Sequence, residues 1–322
     1  MTAMTDDTIP VTGRTIRDEM IAFGIMTALL LVVPLTGVYP FFVMQALCFA
    51  LLACAFNLLI GYVGLLSFGH AAFFGMAGYI CGHVAKVWDL PPELALAAGT
   101  AAGAALGLGV GLIAIRRQGI YFAMITLALA QMVYFFCLQA KFTHGEDGIQ
   151  GIPRGHLLGL VDLNQMMSMY FVVLIVFLAG FVLIHRAVHS PFGQVLKAIR
   201  ENEQRAISLG YKVDQYKLIA FVLSAALSGL AGSLETLVFQ LAALTNVHWS
   251  MSGEVVLMTL VGGLGTVFGP VVGATVIVAM QQYLASLGSW VLVAQGAVFV
   301  VCVLAFRRGL IGELGRVLHK SL

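Results

Sequence analysis

Long apolar runs alternate with short polar breaks along this chain. Ten membrane segments are expected, at about 20–38, 41–60, 64–85, 93–115, 119–140, 166–185, 217–241, 253–268, 270–287 and 290–306. A helix needs roughly 20 apolar residues to cross a hydrocarbon core of about 30 Å. The runs are continuous rather than alternating in twos, which fits helices and disfavours a membrane β-barrel. Segment 253–268 is short, so it is expected to be re-entrant or a half-helix. The first run is full length and lacks a small-residue cleavage pattern, so it is expected to be a retained span and not a signal peptide. Two polar stretches, 141–165 and 186–216, are longer than a turn requires and are candidate partner surfaces.

Composition agrees with this pattern. The chain is 60% hydrophobic and only 10% charged, against about 25% charged in soluble domains. The fold class expected is an all-α polytopic membrane protein with glycine-rich broken or re-entrant helices. Its expected divisions are a polar tail at 1–19, a membrane domain at 20–306 and a second tail at 307–322. The cysteines Cys48, Cys54, Cys81, Cys137 and Cys302 all fall in apolar runs and are expected to be packing residues.

The charges set the orientation. With both termini cytoplasmic, the inner side holds Arg14, Arg17, Arg116, Arg117, Arg186, Lys197, Arg200, Arg205, Lys212, Lys217, Arg307, Arg308, Arg316 and Lys320. The outer side holds only Lys86, Lys141 and Arg154. Basic residues concentrate on the cytoplasmic side of membrane proteins, so this sense is expected.

Two stretches combine apolar length with many glycines. One is Leu58–Ile80, with Gly61, Gly64, Gly69 and Gly75; the other is Val261–Ala274, with Gly262, Gly263, Gly265, Gly269 and Pro270. Small residues let helices approach closely in lipid, and glycine and proline permit a break where neighbours satisfy the freed backbone. The matching texture of the two stretches raises the expectation of pseudo-symmetric halves. Ser67 and His70 lie inside the first stretch. They either bond locally to backbone or line a solute path, with Asn57, Tyr121, Thr126 and Gln131 as further lining candidates. Glu235 and Glu254, the acids nearest hydrocarbon, are expected at a water-exposed outer rim.

The inner loop opens with Ser190 and Pro191, a helix-start pair. Phe192, Val195, Leu196 and Ile199 then fall on one helical face, with Lys197, Arg200, Glu201 and Glu203 around the rest. Gly210 is expected to end the helix in a left-handed cap. Such a helix either lies at the headgroups or inserts into a soluble partner, and its mixed charge favours the partner.

Gln204-Arg205-Ala206 followed by Gly210 resembles the E-A-A-x-x-x-G loop of permease subunits in ATP-binding-cassette importers, with Gln204 and Arg205 departing from it. The run "GQVLKAIRENEQRAISLGYKVDQYKLIAFVLSAALSGLAG" is similar to the LivM-like permeases of branched-chain and hydrophobic amino acid importers. "NLLIGYVGLLSFGHAAFFGMAGYI", "GIYFAMITLALAQMVYFF", "FTHGEDGIQGIP" and "LVGGLGTVFGPVVGA" resemble that family in the same order, over about 40–310. The resemblance implies a bacterial inner-membrane importer of branched-chain or other amino acids, amides or urea. It implies a second permease, two cytoplasmic ATPases and a periplasmic binding protein as partners. It also implies that Pro191–Tyr211 fits a cleft on an ATPase.

No G-x-x-x-x-G-K-[ST], H-E-x-x-H or G-x-S-x-G occurs. The chain is therefore expected to be no enzyme and to bind no cofactor or metal, leaving ATP and Mg²⁺ to a partner. No nucleic-acid partner is expected. An ion-coupled secondary transporter is the competing reading; a membrane enzyme is disfavoured by the lack of convergent catalytic groups.

Overall fold

A computed structural model describes residues 14–37, 39–157, 159, 161–285, 288, 290–305 and 309–317. Residues 1–13 of the expected tail at 1–19 and the expected charges Arg307, Arg308 and Lys320 lie outside these residues, and 14–19 belong to the first helix instead of a tail. Thirteen helices occur among the described residues: α1 (Arg14–Val32), α2 (Pro40–Asn57), α3 (His70–Lys86), α4 (Pro92–Ala114), α5 (Ile120–Gln139), α6 (Met166–His189), α7 (Pro191–Glu201), α8 (Glu203–Ser208), α9 (Val213–Phe239), α10 (Trp249–Gly262), α11 (Gly269–Tyr283), α12 (Trp290–Ala305) and α13 (Gly309–Val317). Among the described residues, five helical stretches are long and apolar enough to cross a membrane: Pro40–Val63, which extends α2 by a π-turn, then α4, α5, α6 and α9.

Three expectations about segments change. The segment at 64–85 is not helical throughout: Gly64 to Gly69 form a non-helical entry, and α3 starts only at His70. At 1.5 Å per residue, the 17 residues of α3 span about 25 Å, short of the hydrocarbon core, so the entry supplies the remainder. The segment at 253–268 begins at Trp249 and stops at Gly262, leaving residues 263–268 as a second break before α11. The expected C-terminal tail contains a helix, α13, which contacts α10 and α11.

The core is a layered bundle around α2, α3, α4 and α9. Helix α2 is almost wholly buried, from Val43 through Asn57, so it is the central post. Helix α4 approaches α9 through Gly99, Gly103, Gly107 and Gly111, four buried glycines at a spacing of four. A Cβ at Gly103 would stand 2.9 Å from Gly229 Cα and from the Ala225 carbonyl oxygen. The missing side chains therefore set the helix separation, as small residues do in lipid. Cys48, Cys54, Cys81 and Cys137 are buried and unbridged, as packing residues would be.

At one end of the bundle the stretch after α5 is laced to the turn after α9. Strand β1 (Ile149–Gln150) pairs antiparallel with β4 (Leu241–Ala242), while β2 (His156–Leu157) pairs with β3 (Val161–Asp162). At the opposite end, the α2 π-turn, the 263–268 break and α7 come together.

Candidate functional site

Both glycine-rich stretches fold into helix breaks, and each break leaves backbone groups that lipid could not satisfy. The first, at 64–69, is closed largely by hydroxyls from other helices. Thr126 Oγ1 on α5 accepts from Phe68 N at 3.1 Å. Ser252 on α10 accepts from Ala71 N at 3.0 Å and donates to the Phe68 carbonyl at 2.8 Å. Ser67 Oγ accepts from Gly69 N at 3.1 Å. Gly64 begins the break with φ +82°, a left-handed conformation that favours glycine.

The second break, at 263–268, is closed by its own threonine and by α2. Thr266 Oγ1 accepts from Gly269 N at 3.1 Å and donates to the Gly263 carbonyl at 2.8 Å. Asn57 clasps the loop: its Nδ2 donates to the Thr266 carbonyl at 2.8 Å, and its Oδ1 accepts from Gly265 N at 3.0 Å. Pro270 sits in the first turn of α11, where its missing amide costs little.

His70 is fully buried, ringed edge-on by Phe56, Phe73 and Phe221. Its Nε2 lies 2.8 Å from Ser224 Oγ. Ser224 donates its hydroxyl proton to the Ala55 carbonyl at 2.5 Å, so Nε2–H is the donor toward Ser224. His70 thus ties the start of α3 to α9 and α2 through the serine at its Nε2. Asn57, Ser67, His70 and Thr126 are all buried at or beside the breaks. Tyr121 and Gln131 do not join them: Tyr121 is 68% exposed on α5, and Gln131 is half-buried.

The small residues divide in the same way. A Cβ at Gly75 would sit 2.8 Å from Val247 N, so Gly75 meets the turn after α9. Gly61 meets Gly265 N at 2.9 Å, and Gly262 meets Pro270 N at 3.0 Å. A Cβ at Gly69, by contrast, would find its nearest neighbours at 3.4–3.6 Å, an ordinary contact.

The expected docking helix is two helices. Helix α7 runs Pro191–Glu201 with Ser190 capping Gly193 N, and Asn202 then interrupts it. Asn202 Oδ1 accepts from Arg205 N and starts α8, which ends toward Gly210 at φ +89°. Two short caps win over one long helix because asparagine's side chain competes with the backbone ladder. The α7 stripe faces the protein: Leu196 and Ile199 are buried, and Phe192 stacks on Tyr216 at 5.8 Å. Glu203 pairs with the buried Lys217 Nζ at 2.6 Å, fastening α8 to α9. Ala206 is buried, whereas Pro191, Glu201, Arg205 and Gly210 remain exposed. Beyond α8, Leu209 is 70% and Tyr211 41% exposed, an apolar tip bordered by charge.

At the far end, Arg154 donates to the carbonyls of Leu237 and Val238 at 3.1 and 2.6 Å, and burial lowers its pKa from the usual guanidinium value. Asp162 accepts from Asn164 N at 2.9 Å, which holds its carboxyl below the usual range. Glu146 and Asp147 are exposed. Glu235 is not at a water-exposed rim: it is only 8% exposed and accepts from Asn246 Nδ2 at 2.8 Å. Glu254 is half-buried and accepts from Gln281 Nε2 at 2.9 Å.

Over residues 39–304, from the start of α2 into α12, the chain matches the family described as "branched-chain amino acid transport system / permease component". The chain belongs to that family. The permease is 24% identical over 286 residues to the high-affinity branched-chain amino acid transport system permease protein LivM of Salmonella typhimurium, covering 82% of this chain and 67% of that protein. It is 31% identical over 196 residues to the ribose import permease protein RbsC of Bacillus subtilis, covering 56% and 58%. A shorter likeness, 28% over 112 residues, reaches the probable permease protein LivH of Methanocaldococcus jannaschii, covering 33% and 32%. No solved structure matches it significantly.

Several structural residues of the permease escaped the sequence reading. Ser224 and Ser252 each share their helix with other hydroxyls, Ser228 and Ser233 in α9 and Ser250 and Thr259 in α10, so nothing in the sequence singles them out. The α4 glycines did carry one: "GTAAGAALGLGVG" repeats glycine every fourth residue through Gly111.

Proposed function

We propose that the permease is one membrane subunit of an ATP-driven importer in the bacterial inner membrane, moving branched-chain or other amino acids, with amides or urea as near alternatives. A second permease subunit, two cytoplasmic ATPases and a periplasmic binding protein complete the complex. The family match over 39–304 carries this reading. The exposed tip of α8 supports it, since Ile207, Leu209 and Tyr211 offer an apolar surface outside the bundle. In this reading ATP and Mg²⁺ bind the ATPases alone. Both termini and α7–α8 are cytoplasmic, and residues 141–165 meet the binding protein.

The breaks at 64–69 and 263–268 are the natural moving parts. Each is a short non-helical stretch, partly buried and packed against protein, the form in which irregular backbone is tolerated at membrane depth. Asn57, Ser67 and Thr126, which close them, and His70, which ties α3 to α9 and α2, act on the solute route by holding its walls.

Purification from its own membrane in mild detergent tests the assembly. Co-elution with a nucleotide-hydrolysing subunit and a second permease is expected. Elution of this chain with neither would overturn the reading.

A further inference from the structure

Arg200 lies on α7, in the stretch whose charges would be expected to face a partner. In the fold the residue stays exposed, but its guanidinium reaches back to the bundle. Its Nη1 donates to the carbonyl of Gly61, in the π-turn that ends α2. A Cβ at Gly64 would stand 3.2 Å from Arg200 Cγ, and one at Gly265 would stand 3.4 Å from Arg200 Nη1. Arg200 therefore occupies the junction of the two helix breaks.

Its neighbours strengthen the seat. Lys197 Nζ lies 5.7 Å from the centre of the Tyr62 ring, in the same π-turn. Leu196, on the same face, is buried in a cluster with Leu59, Val63, Leu65 and Phe73. Helix α7 thus holds 58–65 by an apolar side chain and by two cations. One helical turn before Gly61, Asn57 clasps Gly265 and Thr266 across the junction. A path runs from α7 through Arg200 to the Gly61 carbonyl, back along one helical turn to Asn57, and through the Asn57 side chain to the second break.

The geometry points to Arg200 as a positioning residue that makes α7 and both breaks move as one unit. This rests on the importer reading above. A π-turn has an irregular hydrogen-bond ladder, so its carbonyls can accept an outside donor. A guanidinium is rigid, always charged and multiply donating, so it transmits a displacement better than a flexible ammonium. The partner surface is then the α8 tip, and Arg200 works one layer behind it.

The test uses the whole complex in liposomes and compares Arg200→Met, Arg200→Lys, Asn57→Leu and the double variant Arg200→Met with Asn57→Leu. Three quantities are measured: ATPase subunit retained on purification, ATP hydrolysed, and solute taken up per ATP. Arg200→Met should retain its ATPase subunits yet lose tenfold or more in uptake per ATP. Arg200→Lys should recover to within about threefold of the parent, since its ammonium can still donate to the Gly61 carbonyl. The double variant should be no worse than its worse single variant, because both break one path. Unchanged uptake per ATP in Arg200→Met, or losses that multiply in the double variant, would overturn the assignment. Loss of the ATPase subunits in Arg200→Met would also overturn it, by making Arg200 a docking residue. A parent complex without ATP-dependent uptake would instead sink the importer reading itself.

Discussion

The two helix breaks solve one problem by different means. Each interrupts a chain passage through the bundle, contains a left-handed glycine (Gly64 at φ +82°, Gly265 at +75°), and leads into a helix whose first turn is fed by a hydroxyl. Ser67 serves Gly69 and Thr266 serves Gly269, both at 3.1 Å. Beyond that they diverge. The 64–69 break takes its remaining hydroxyls from α5 and α10, whereas the 263–268 break relies on its own threonine and on Asn57 of α2. The packing differs too, because backbone closes around Gly262 while Gly69 has room for a methyl group. One break depends on the surrounding helices keeping their places; the other is nearly a self-contained clip on α2.

The largest effect should come from filling the tighter break. In Gly262→Leu the added side chain meets the Gly269–Pro270 backbone, which cannot swing aside. Overpacking typically costs about 1–3 kcal/mol, and a rigid backbone neighbour puts this variant at the upper end. A clear fall in the melting temperature of the purified complex, with reduced membrane yield, is expected; a parent-like melting curve would mean the breaks are packed alike.

Next in size is Ser252→Ala, which orphans both Ala71 N and the Phe68 carbonyl. A buried unsatisfied group costs about 1–3 kcal/mol; Thr266→Val also loses two bonds, but Asn57 still holds the second break, so Ser252→Ala should cost more. Thermal unfolding of the two variants side by side checks the order. Equal losses would erase the distinction between a break held from outside and one held from within. The smallest effect is predicted for Gly69→Ala, within about 0.5 kcal/mol of the parent, because its Cβ meets neighbours at 3.4–3.6 Å. A collapse in yield there would show that the first break is as close-packed as the second.

Much of this was legible in the chain. Apolar runs located the long helices, and glycine clusters marked both breaks, since lipid leaves few other uses for so many missing side chains. Ser190 and Pro191 marked the start of α7. What stayed hidden were pairings across long sequence separations. Asn57 and Gly265, or Ser252 and Phe68, give no local sign of one another. The division at Asn202 could have been read from its capping chemistry, but the charges around it suggested one continuous helix. The reach of Arg200 to Gly61 was hidden in the same way: periodicity gives a face, while a long side chain chooses its own partner. Glu235 was misplaced because the turn carrying Asn246 folds back over it.

The most direct test of the central claim is solute uptake by the assembled complex in liposomes, with the binding protein outside and ATP either enclosed or omitted. Radiolabelled leucine is the first solute, followed by other amino acids, amides, urea and ribose. An ATP-driven importer should accumulate a solute only when ATP is enclosed, and should continue when ionophores abolish proton and sodium gradients. Accumulation without ATP that collapses with the ion gradient would contradict the account and establish an ion-coupled transporter.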